Sequence, residues 1–116
     1  MASTVEQVNA NLVDEGLSAS RPVYHGYPSG FRDLVLFFEE LERDWRGWDG
    51  DRAWESLEGD LCIVARHQHG HVQLRVTLRH LVADWDRSGC SATVDLSVDP
   101  GEELSGIVRD LQALAP

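Results

Sequence analysis

Apolar residues along this chain recur at two spacings, and the changes from one spacing to the other mark its elements. Two weakly patterned segments, around 8–13 and 17–24, flank the turn-forming Asp14-Glu15-Gly16, which predicts a hairpin within residues 1–25. Tyr27-Pro28-Ser29-Gly30 then interrupts the pattern, with Ser29 placed to cap a helix. Phe31, Leu34, Val35, Phe38, Leu41 and Trp45 follow at steps of three and four, one face of a helix ending near Arg46 and widened by Leu36 and Phe37. After a loop at 47–51, the segment from Trp54 to Leu57 reads as a short strand or an extended edge.

Period two takes over from there. Leu61, Ile63 and Ala65 alternate with Cys62, Val64 and Arg66, and Val72, Leu74, Val76 and Leu78 alternate with Gln73, Arg75, Thr77 and Arg79. These are two strands joined across His69-Gly70. Cys90, Ala92, Val94, Leu96 and Val98 form a further strand after the loop around Asp84-Trp85-Asp86, with a bulge expected at Gly89 to absorb the phase of Trp85. Asp99 in the cap position, Pro100 at the first helical position and Glu102 three residues after the cap open a last helix, whose stripe is Leu104, Ile107, Val108, Leu111 and Leu114. The expectation is an α+β domain spanning 1–116, an antiparallel sheet of about five to six strands with two amphipathic helices, one mid-chain and one C-terminal.

At 116 residues a second independent core would leave each half marginal, and 42% hydrophobic residues suffice for one folded domain. The charge narrows the partners. Twenty acids oppose ten arginines, with no lysine, for a net −10. Such a field repels phosphate backbones and anionic lipid and speeds encounter with a basic protein, so direct nucleic-acid or membrane binding is not expected. Arginine in place of lysine fits a GC-rich genome better than a mechanism. Cys62 and Cys90 are too few for a disulfide scaffold, no apolar run approaches a membrane span, and Met1 to Gln7 shows no secretory pattern, so a cytoplasmic protein is expected.

His67, His69 and His71 alternate as metal ligands do on a strand, but Gly70 places them at a reversing turn, and no metal or other cofactor is expected. Nucleophile elbows, phosphate-cradling glycine loops and catalytic cysteine patterns are missing, and acids this numerous form close pairs by chance, so no enzyme is expected. Charge concentrates between residues 39 and 60, where nine acids face three arginines for a net −6. Glu39 with Arg43 and Glu42 with Arg46 are favourable helical pairs, whereas Glu40 and Asp44 repel, and Asp44 sits at the negative end of the helix dipole. Each misfit costs only about 0.2–1 kcal/mol, so the excess is tolerated rather than required. Trp45 and Trp54 are expected to fill the corner where helix meets sheet, and Trp48, between Gly47 and Asp49, to be exposed. The candidate partner-binding residues are therefore Glu40, Asp44, Trp48, Asp49 and Asp51.

Phe37-Phe38-Glu39-Glu40-Leu41, Asp44-Trp45-Arg46-Gly47-Trp48-Asp49-Gly50, Trp54-Glu55-Ser56-Leu57-Glu58-Gly59-Asp60-Leu61, Gly70-His71-Val72-Gln73-Leu74-Arg75-Val76 and the closing helix resemble a group of small actinobacterial proteins. That group is similar to the WapI-type immunity proteins. The similarity covers about residues 30 to 115 and is most specific over the Trp54–Leu61 run. It implies a non-enzymatic inhibitor that binds and neutralises a cognate toxin; the acid excess at 39–60 separately suggests that the toxin is basic, a nuclease being one such case. Two other readings stay open, a regulatory or structural module of a larger assembly and, behind it, a small-ligand binder or enzyme with a tryptophan-lined pocket.

Overall fold

A computed structural model describes residues 7–24, 31–80 and 90–114. Six strands and two helices follow one another as β1 (Gln7–Asp14), β2 (Leu17–Tyr24), α1 (Arg32–Arg43), β3 (Asp51–Glu55), β4 (Leu61–Gln68), β5 (His71–Arg79), β6 (Ser91–Val98) and α2 (Glu102–Leu114). The α+β class and both helices stand as the spacing predicts. The strands, however, form two sheets rather than one. Among the described residues β1 and β2 pair only with each other, and β3-β4-β5-β6 is a four-stranded antiparallel meander in chain order.

Turn chemistry explains the two tight hairpins. Glu15 and Gly16 connect β1 to β2, with Gly16 at φ +77° and the Asp14 carboxylate accepting the Glu15 N–H at 2.7 Å. His69 and Gly70, at φ +55° and +77°, connect β4 to β5, the pair of left-handed residues that a two-residue hairpin with the sheet's own twist requires. At the start of α2 the Asp99 side chain accepts the Gly101 N–H at 2.7 Å, and the Asp99 carbonyl accepts the Leu104 N–H at 3.1 Å. Expected caps at Ser29 and a bulge at Gly89 lie outside the described residues.

One face of the large sheet carries Leu61, Ile63, Ala65, Val72, Leu74, Leu78 and Val98 into the core. Phe31, which caps α1, and Leu34, Phe38 and Leu41 within that helix pack onto it, α2 brings Leu104 and Val108, and the β1–β2 hairpin closes it with Leu12 and Val23. Among the described residues no helix lies on the opposite sheet face, which is polar, as a one-sided antiparallel sheet allows.

α1 stops at Arg43, three residues short of the expected end. Asp44 donates its backbone N–H to the Glu40 carbonyl at 3.1 Å, and Gly47 N–H returns to the Asp44 carbonyl at 2.9 Å, so the chain turns away through Asp44, Trp45 and Arg46. Gly47, at φ +142°, holds a backbone conformation that only glycine adopts without strain. Trp45 therefore leaves the apolar face that its spacing assigned to it, and Leu36 points outward at 48% exposure.

Candidate interaction surface

The corner between α1 and β3 is built from stacked side chains. Arg52, on the inner side of β3, lays its guanidinium 4.7 Å from the centre of the Trp48 ring. The His67 ring meets Trp48 in an edge-on arrangement, with centroids 5.4 Å apart. His67 in turn holds the loop, its Nε2 lying 3.0 Å from the Trp45 carbonyl. Because a carbonyl only accepts, that nitrogen carries the hydrogen.

The tryptophans thus exchange the places that sequence spacing assigned. Trp48, expected to be exposed, is half-buried against the core, as is Trp54, while Trp45, expected to be packed, is 48% exposed with Arg46 stacked on it at 5.1 Å. The early end of α1 is the cause. It releases Trp45 to solvent and lets Gly47 fold Trp48 back under the loop.

Among the five candidate residues the carboxylates divide into two kinds. Asp44 pairs with Arg52 at 2.9 Å and with Arg43 at 3.5 Å, hydrogen bonds that hold its carboxyl below the usual range, Arg52 contributing most. Those cations also offset its position at the negative helix end. Asp51 is the first residue of β3, not a loop residue, and grips Arg66 on β4 through two bonds of 2.6 and 3.1 Å, which depress its carboxyl in the same way. Glu40 and Asp49 are exposed and have no ion pair among the described residues. The expected Glu39–Arg43 and Glu42–Arg46 pairs do not form. Arg43 turns to Asp44, Arg46 to Trp45, and Glu39 accepts from Gln112 on α2 at 3.1 Å.

The polar face of the sheet settles its own charge. Asp51–Arg66 is joined there by Arg75–Asp95, at 2.8 and 3.2 Å, and Arg79–Glu55 at 2.9 Å, so three acids match three arginines. A shallow hollow of about 390 Å³ on this face is lined by those matched groups, Asp51, Arg66, Arg75 and Asp95 among them. The helical side is different. Residues of α1, the 44–50 loop, Asp99 and α2 include ten acids and only four arginines, a net −6. Even with Arg52, the partner of Asp44, added to it, that side carries most of the acid excess of the described residues.

Low pH reads the paired carboxylates directly. Asp44, Asp51 and Asp95 are all depressed in the folded chain, chiefly by hydrogen bonds from Arg52, Arg66 and Arg75 respectively. Their contribution is present above the ordinary carboxyl value of 3.8 and is lost as pH falls through the folded values below it. Urea midpoints taken from pH 6 down to about pH 2.5 should fall below about pH 4, and Asp51→Asn with Asp95→Asn should flatten that limb while changing little at pH 7, the pairs being exposed.

The Trp54–Leu61 run has a structural part that its composition did not disclose. Ser56 and Asp60 close the β3–β4 connection, the Ser56 hydroxyl donating to the Asp60 carboxylate at 2.6 Å and accepting the Leu61 N–H at 2.9 Å. Arg21 reaches from β2 to the other Asp60 oxygen at 3.3 Å, tying the hairpin to the sheet. Gly59, at φ +73°, offers its carbonyl to Arg79 at 2.7 Å. Burial pushes the neighbouring Cys62 thiol up from its ordinary value against the opposing effect of Arg79.

A family model matches residues 2–116, taking in both hairpin strands and both helices. The chain belongs to the family of unknown function DUF6228. No curated protein and no solved structure matches it. The DUF6228 match includes the N-terminal hairpin, in keeping with the Arg21–Asp60 contact that joins hairpin to sheet. Among the described residues of this DUF6228 chain, no group of three His, Cys, Asp or Glu side chains is placed to hold a metal ion, and no helix is long and apolar enough to cross a membrane. The three histidines part company, His67 serving the Trp45 carbonyl while His71 Nδ1 lies 3.2 Å from the His69 carbonyl.

Proposed function

We propose that this DUF6228 chain is a non-enzymatic, immunity-type protein of the cytoplasm that binds and neutralises a basic protein partner, a toxin domain, through the acidic helical side. The observation that carries this reading is the segregation of charge. Arginines on the sheet face are matched one for one, whereas the helical side keeps an excess that packing does not use. A toxin that acts on nucleic acid presents cations where phosphate binds, and carboxylates set against those cations occupy the site and accelerate encounter. Exposed Trp45, between Glu40 and Asp49 in sequence, supplies an aromatic contact of the kind that anchors interfaces. The likeness of the Trp54–Leu61 run to the WapI-type immunity proteins points the same way.

Charge reversal at Glu40 and Asp49 tests the reading without breaking an ion pair of the fold. With a partner obtained by expressing the gene beside its genomic neighbours, Glu40→Lys with Asp49→Lys should slow association by about tenfold or more at low salt and leave the circular dichroism spectrum unchanged. An unchanged association rate would remove the acidic side from the interface.

A further inference from the structure

We propose that the free edge of β3 receives an extended basic segment of the partner as an additional strand of the sheet. This deepens the preceding reading and rests on it for the partner's charge. Its own basis is backbone geometry.

The Ser56 N–H donates to the Leu61 carbonyl at 2.9 Å, which makes 56 and 61 a hydrogen-bonded pair. Antiparallel ladders alternate, so Trp54 with Ile63 and Arg52 with Ala65 exchange bonds in turn, whereas Asp51, Ala53 and Glu55 direct N–H and C=O away from β4. β3 ends the sheet order, and none of those three residues takes part in the backbone bonds made outside the ladders among the described residues. All three are exposed. The strand carries no proline and no bulge, and its charges, Asp51, Arg52 and Glu55, guard the edge against a like strand rather than against a basic one.

The side chains beside those groups say what fits. Asp51 and Glu55 project on the same face with the small Ala53 between them. Each already accepts from one arginine, Arg66 or Arg79, but a carboxylate has about four acceptor positions and so keeps room for a second donor. A strand laid along the edge would set Lys or Arg opposite both acids, four residues apart, and a small or β-branched residue opposite Ala53. A second copy fits badly, since antiparallel pairing about Ala53 sets Asp51 against Glu55 between chains that each carry −10. The other edge is less suited to such a partner. Its outward residues, fixed by the His80 N–H bond to the Cys90 carbonyl, are Ser91, Thr93, Asp95 and Ser97, with one acid, and the hairpin packs beside β6.

The test is amide exchange read by NMR during titration with a synthetic ten-residue peptide alternating Lys with Thr. At about nine-tenths saturation, exchange at the Asp51, Ala53 and Glu55 amides should slow about tenfold, since only the unbound fraction exchanges. A peptide with Glu in place of Lys should leave these amides unchanged. Ala53→Pro, which removes an outward N–H and no bond to β4, should weaken peptide binding by roughly tenfold or more while keeping the β4–β5 amides protected. Absence of binding at millimolar peptide, slowing at Ser91–Ser97 instead, or dimer formation through the edge would each overturn the proposal. If a captured basic partner binds Ala53→Pro as tightly as the parent chain but loses affinity for Glu40→Lys with Asp49→Lys, the edge is refuted and the acidic helical side stands.

Discussion

Leu41→Ala is expected to lower the unfolding free energy by about 2–5 kcal/mol, the range for deleting a sealed leucine side chain and leaving a cavity behind. Leu41 has no exposed surface and lies in the layer between α1, the sheet and α2, where neighbours from three elements limit collapse. Against a total stability of about 5–15 kcal/mol for a domain of this kind, that loss brings the chain close to unfolding at 37 °C. Leu36→Ala provides the contrast. Its side chain is 48% exposed on the outer face of the same helix, so urea denaturation should show a loss of no more than about 0.5–1 kcal/mol. Equal losses at the two positions would mean that α1 is rotated from the orientation described.

Asp60→Ala is expected to cost about 2–4 kcal/mol, through hydrogen bonding more than through charge. Asp60 is 2% exposed and receives the Ser56 hydroxyl at 2.6 Å and the Arg21 guanidinium at 3.3 Å. Its removal leaves the Ser56 donor without its acceptor inside the β3–β4 connection and frees the hairpin from its polar tie. Arg21 is more accessible than Asp60, so the ionic share is discounted for solvent, and Arg21→Met alone should cost only about 1 kcal/mol. Hydrogen exchange gives the local readout. β1–β2 amides should lose protection in Asp60→Ala before β4–β5 amides do. Loss of less than about 1 kcal/mol would show that the carboxylate does not hold this connection.

Period-two alternation made β4, β5 and β6 legible because each has one apolar and one polar face, and the turn at His69-Gly70 and the cap at Asp99 marked the β4–β5 hairpin and the start of α2. Periodicity does not report where a helix stops. Trp45 lies four residues after Leu41 and so reads as a continuation of the stripe, yet the backbone turns at Asp44, and the places of Trp45 and Trp48 follow from that turn. Partner choice among charges was equally hidden. Arg52 and Arg66 reach Asp44 and Asp51 across distances in sequence that helical spacing rules do not consider, which is why two of the four candidate carboxylates prove to be committed within the fold. The division of six strands into two sheets was beyond alternation too, since a hairpin shows the same pattern whether or not a third strand joins it. Asp60 belongs to the same class, a buried acid whose partners come from residues 56 and 21.

Capture of a basic toxin by the acidic helical side, as proposed, requires that this chain protect a cell from that toxin. Co-expression with each product of the neighbouring genes, with cell survival and recovery of a complex as the readout, tests it most directly. One basic, toxic product should be rendered harmless and recovered in complex with this chain, and Glu40→Lys with Asp49→Lys should abolish the rescue while leaving a folded protein. Rescue that persists unchanged in the charge-reversed variant, or a stable complex formed only with a harmless neighbour, would contradict it.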